Sequence, residues 1–111
     1  MAKIQSEFVF RIAGDGKDDP DGFLHFRNPT NKEMIDFDAD TYSVGKRNQM
    51  KFNLTPARLA LFDKVLIKIV DVTDDAGPIT LETKDRIPAG LKLQAMDSAL
   101  QQWKPEIDVK D

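Results

Sequence analysis

"LALFDKVLIKIV", residues 59 to 70, is the longest nearly apolar run in the chain, and its reading decides the fold. Leu59, Phe62, Val65, Leu66, Ile69 and Val70 recur at helical spacing, which predicts an amphipathic helix at the centre of the core. The density of Val and Ile after position 65 argues for a strand instead, because β-branched side chains lose rotamer freedom in a helix. The whole run is longer than an ordinary strand of about 5–6 residues, so helix is the expectation throughout. Thr55 as N-cap with Pro56 at the first helical position marks its start. Asp63, Lys64 and Lys68 interrupt the run. Each would cost about 2.5–3.5 kcal/mol at the middle of a bilayer, so a soluble protein without a membrane span is expected.

Upstream, Phe8, Phe10 and Ile12 alternate with Val9 and Arg11, the period-2 pattern of a strand with one apolar face. The segment DGKDDPDG (15–22) is rich in turn residues, and Phe23 to Arg27 resume the apolar pattern. Two such runs around a Gly/Pro/Asp cluster predict an antiparallel hairpin. In that second strand His25 shares a face with Phe23 and Arg27, opposite Leu24 and Phe26. Pro29 ends the strand, since it has no N–H for the ladder. Thr30 and Glu33 then have the spacing of a capping box, in which hydroxyl and carboxylate each accept from the other residue's amide. A helix over 31–43 follows, with Met34, Ile35, Phe37 and Tyr42 on its apolar face, Asp36 and Asp40 outward, and Gly45 as its stop.

Downstream, GKRNQMKFN (45–53) reads as a basic linker and DDAGP (74–78) as a turn. Residues 80 to 86 suggest a short helix that Pro88 ends or replaces. Ala89 to Gln102 carry Leu93, Met96 and Leu100 at helical spacing, with Trp103 directly after, and Pro105 stops that helix before a charged, loosely held tail. The expected fold class is α+β: an amino-terminal antiparallel β-hairpin (5–27), then three or four helices (30–103), in one domain over 1–111 with a tail at 104–111.

Composition bounds the function. The chain has 111 residues, 41% hydrophobic and 32% charged, which suits a single folded domain rather than a disordered one. A net charge of -3 argues against general nucleic-acid binding, which relies on Lys and Arg displacing counterions. There is no cysteine, so disulfides and thiolate chemistry are excluded, and a reducing cytoplasm fits. MAKIQSEFVFRI has neither a long apolar stretch nor a cleavage pattern, so no secretory peptide is expected.

No enzyme constellation emerges. Asp15, Asp18, Asp19 and Asp21 fail the EF-hand spacing, because Lys17, Pro20 and Phe26 fall where an oxygen, a glycine and a carboxylate are needed. VGKR (44–47) lacks the earlier glycine and the following Ser or Thr of a phosphate loop. His25, the only histidine, has no nucleophile or further ligand near it in sequence. Neither a cofactor nor a metal is therefore expected. The candidate partner-binding residues are the basic cluster Lys46, Arg47 and Lys51, together with Trp103, which either anchors an interface or covers the edge of the core.

The order of the pieces FVFRI, FLHFRNPTNKEMIDF, VGKR, ARLALFDKVLIKIVDV, DDAGPIT and IPAGLKLQAMDSAL resembles the small tail assembly chaperones of long-tailed bacteriophages and prophages. The resemblance spans roughly residues 6 to 103, with FRNPTNKE and the surroundings of Leu61-Phe62-Asp63 as its most telling parts. It implies a non-enzymatic protein of the bacterial host cytoplasm. Such a protein binds the tape measure protein through apolar and helical surfaces, keeping it soluble while tail tube subunits assemble around it. It also implies self-association, since many copies cover one long partner, and an elongated form made by ribosomal frameshifting. A structural virion component and a small regulatory nucleic-acid binder are the rival readings.

Overall fold

The computed structural model describes residues 3–16, 18–44 and 50–103. Strands β1 (Glu7–Ile12) and β2 (Gly22–Arg27) form the amino-terminal hairpin. They pair antiparallel, with Phe8 opposite Phe26 and Phe10 opposite Leu24. The alternation does what the pattern predicts: Leu24 and Phe26 are fully buried, while Phe23, His25 and Arg27 lie on the opposite face. The loop between the strands is closed by Asp21, which accepts from the Gly14 amide at 3.0 Å and from Arg11 Nε at 2.5 Å. Those two bonds hold the Asp21 carboxyl below the usual carboxylate range, the Gly14 amide contributing most.

The capping box forms as predicted. The Glu33 amide donates to Thr30 Oγ1 at 3.1 Å, and the Thr30 amide donates to Glu33 Oε1 at 2.9 Å. Helix α1 (Asn31–Thr41) is two residues shorter than expected. It stops because the chain turns into β3 (Tyr42–Val44), which pairs with β4 (Met50–Phe52). Residues 50–52 are thus strand rather than linker, and Gly45 lies outside the described residues. The buried face of α1 is Phe37 and Thr41, one turn apart, and Thr41 Oγ1 donates to the Phe37 carbonyl at 2.7 Å. Ile35 and Tyr42, expected on that face, are exposed. Asp36 is half-buried rather than outward, and Asp40 is exposed.

Helix α2 (Leu54–Val65) begins after Asn53, two residues earlier than a Thr55 cap would give. Its first intrahelical bond runs from the Ala57 amide to the Asn53 carbonyl at 3.1 Å. Pro56 therefore sits in the third helical position, where no amide is required to donate, and it costs nothing there. The main correction lies at the other end. α2 stops at Val65, and Leu66–Val70 form strand β5 on the free side of β2, giving a three-stranded sheet in the order β1-β2-β5. Helical spacing continues past Val65, whereas strand alternation over 66–70 holds only with a bulge, and the sheet decides for the strand. Leu66 meets Phe26 and Ile69 meets Leu24, so pairing gives the β-branched run a ladder and an apolar face together. An extra residue, Ile67, is accommodated as a bulge between the Phe26 and His25 pairings.

The turn at 74–78 is a miniature hairpin, β6 (Thr73–Asp74) with β7 (Gly77–Pro78). Arg86, at the end of the 3-10 helix Leu81–Arg86, clamps it by donating Nε to Asp74 Oδ2 at 2.9 Å and a second bond to Asp74 Oδ1. Helix α3 (Ala89–Trp103) packs against α2 and β1 through Ala95, Met96 and Ala99, all fully buried. Leu93 and Leu100 are half-buried at the margin of that stripe. The core is one cluster, in which Phe26 meets Phe62 edge-on at 5.4 Å between ring centroids. The protein is a small α+β domain whose helices cover one face of the sheet, as antiparallel sheets allow.

Candidate functional site

The corner at residues 27–34 is held by a charged clamp. Arg27, the last residue of β2, donates to both Glu33 oxygens, at 2.6 and 2.8 Å, and to the Lys64 carbonyl of α2 at 3.0 Å. With Arg27 as the main cause and the Thr30 amide second, the Glu33 carboxyl is lowered from 4.5 to about 2. One bidentate pair thus ties sheet, α1 and α2 together. Asn28 extends the arrangement by donating from Nδ2 to the Gln5 carbonyl at 2.7 Å, which anchors the segment before β1.

Beside this clamp lies a groove of about 470 Å³, lined by Ile4, Asn28, Pro29, Asn31, Met34 and Trp103 among others. Its size falls within the range of ligand pockets, about 300–1,000 Å³. Ile4 is 88% exposed at its rim, a large apolar side chain with nothing over it among the described residues. Trp103 forms the opposite wall, half-buried, with its indole edge-on to Phe8 at 6.4 Å. Two polar atoms of the groove's residues are shut from solvent without a hydrogen-bond partner: Trp103 Nε1 and Asn28 Oδ1. An unmet buried donor or acceptor costs about 1–3 kcal/mol.

Of the sequence-derived candidates, Trp103 is therefore at a groove as well as at the core's edge. Lys51 lies on β4 opposite Ser43, whereas Lys46 and Arg47 lie outside the described residues. His25 Nδ1 is 3.4 Å from Glu7 Oε2, a cross-strand contact on the outer face of the sheet. No group of three His, Cys, Asp or Glu among the described residues is placed to hold a metal ion. Likewise, no helix among them is long and apolar enough to cross a membrane. The role of Arg27 was missed in the sequence, although an Arg and a Glu flanking a strand-to-helix corner were a usable sign of it. The meeting of Trp103 with Pro29 and Met34 had no local sign at all. Comparison with protein-family models, with curated proteins and with solved structures gave no match.

Proposed function

We propose that this chain is a non-enzymatic assembly chaperone of a phage or prophage tail, and that its groove holds an extended apolar segment of the tape measure protein. The observation that carries the reading is a convergence. Asn28, Pro29, Asn31 and Met34 come from or adjoin FRNPTNKE, the stretch that best resembles such chaperones, and they face Trp103 across one groove with exposed Ile4 at its mouth. A half-buried tryptophan beside open apolar surface suits an interface anchor. Release of the segment as tail tube subunits assemble would complete the role.

The test is co-purification with the product of the very long open reading frame expected downstream of this gene. Ile4→Asp should lower recovery of that protein without changing the fold, since Ile4 is almost wholly exposed. Recovery unaffected by Ile4→Asp and by Trp103→Ala would reject the groove as the binding site. Detection of the chain in purified virions would reject the chaperone role in favour of a structural component.

A further inference from the structure

We propose that β1 is a self-association edge, through which two copies of the chain pair antiparallel about a two-fold axis at Val9. β1 is an outer strand of the sheet, and on its far side no strand is paired among the described residues. It runs for six residues without a bulge, proline or lysine, and its two exposed charges, Glu7 and Arg11, are opposite in sign. The opposite edge, β5, carries two edge-protecting devices, the Ile67 bulge and an exposed Lys68.

The occupant follows from charge. The outward face of β1 reads Glu7, Val9, Arg11, symmetrical about Val9 in position and opposite in sign, and both charged side chains stay exposed while Arg11 bonds Asp21 and Glu7 lies beside His25. An antiparallel copy centred on Val9 sets Glu7 against Arg11 of the second chain, Arg11 against its Glu7, and Val9 against Val9. A parallel copy in register would set Glu7 against Glu7 and Arg11 against Arg11, so the same charges select one orientation. Val9 is 44% exposed and would be covered in the pair.

The core-facing side supports the same occupant. Phe8, Phe10 and Ile12 are only half-buried, whereas Leu24 and Phe26 on the adjacent strand are completely enclosed. In the two-fold pair Phe8 lies beside Phe10 of the second copy and Phe10 beside its Phe8. The two three-stranded sheets become one of six strands, and the apolar row closes across the junction. Such an interface is isologous and therefore finite.

Pairing through β1 needs no tape measure protein, so its failure and that of the chaperone reading are separable. The test measures molar mass of the full chain by sedimentation over a wide concentration range. The chain should dimerise, and Val9→Lys should leave it monomeric. Glu7→Arg and Arg11→Glu should each weaken the dimer about tenfold or more, because each sets like charges opposite one another at both ends of the pair. Mixing those two variants should restore a dimer, now a heterodimer with both charge pairs satisfied, which no fault in folding could mimic. A monomeric wild-type chain, a dimer indifferent to the single substitutions, or a mixture that stays monomeric would each overturn the proposal.

Discussion

Arg27 holds both carboxylate oxygens of Glu33, at 2.6 and 2.8 Å, while Glu33 also caps the helix that begins at Asn31. One side chain thus does two jobs: it accepts the Thr30 amide, and it anchors the guanidinium that reaches α2. The consequence for acid stability has a definite sign. The Glu33 carboxyl is ordinarily at 4.5 and is depressed to about 2 in the fold, so the unfolded chain binds the proton more readily. The stabilisation is full above about pH 5 and is lost as pH falls toward 2. With Arg27 partly exposed and screened, it should amount to about 1 kcal/mol. Thermal unfolding midpoints between pH 7 and 2 should fall in the wild type, and Glu33→Gln should flatten that part of the decline. An unchanged acid limb in the variant would refute the assignment.

Thr30 contributes to the same corner by a different route. Its hydroxyl accepts the Glu33 amide, one of the donors that a helix start leaves without an intrahelical partner. Thr30→Ala should cost about 1 kcal/mol, read as a lower urea midpoint with an unchanged slope. Binding of a partner in the groove should survive at low temperature. Loss of binding without loss of stability would instead make Thr30 a contact residue.

The corner was legible in the sequence because its determinants are local: Pro29 lacks a donor, and Thr30 and Glu33 are three residues apart. The hairpin was legible for the same reason, since alternation and turn residues lie within one short span. The segment 66–70 was not, because Leu66, Ile69 and Val70 continue the helical stripe of α2, and Leu66 and Ile69 share a strand face only through the bulge at Ile67. Only the free side of β2, set far upstream, settles the choice. The groove is harder still, since Ile4, Pro29 and Trp103 come from three distant parts of the chain.

Two glycines should respond oppositely to the same substitution. A Cβ on Gly14 would lie 2.3 Å from the Asp19 carbonyl oxygen and 2.8 Å from that of Pro20, both rigid backbone of the hairpin loop. Gly14→Ala must displace that loop and disturb the Gly14–Asp21 bond, so it should destabilise by about 1–3 kcal/mol. Gly90, near the start of α3, has open space where its Cβ would be. Gly90→Ala should stabilise by about 0.5–1 kcal/mol, through lower unfolded-chain entropy and better helix propensity. Chemical denaturation of both variants checks the pair, and a neutral Gly14→Ala would show that the loop closes differently.

Trp103 joins the core to the groove, and two substitutions separate those roles. Its ring packs edge-on against Phe8, so Trp103→Ala should destabilise by about 2–4 kcal/mol through lost aromatic burial. Trp103→Phe keeps an aromatic ring at Phe8 and removes the enclosed N–H that has no acceptor. Removing that unmet donor should return about 1 kcal/mol against the smaller ring's lost contacts, leaving the unfolding midpoint near that of the wild type. If the indole N–H instead bonds an amide of the bound segment, Trp103→Phe should weaken partner binding while stability holds. A Phe variant as unstable as the Ala variant would mean that Nε1 is satisfied in the free protein. Equal binding by the Phe variant and the wild type would mean that Trp103 contributes apolar area alone.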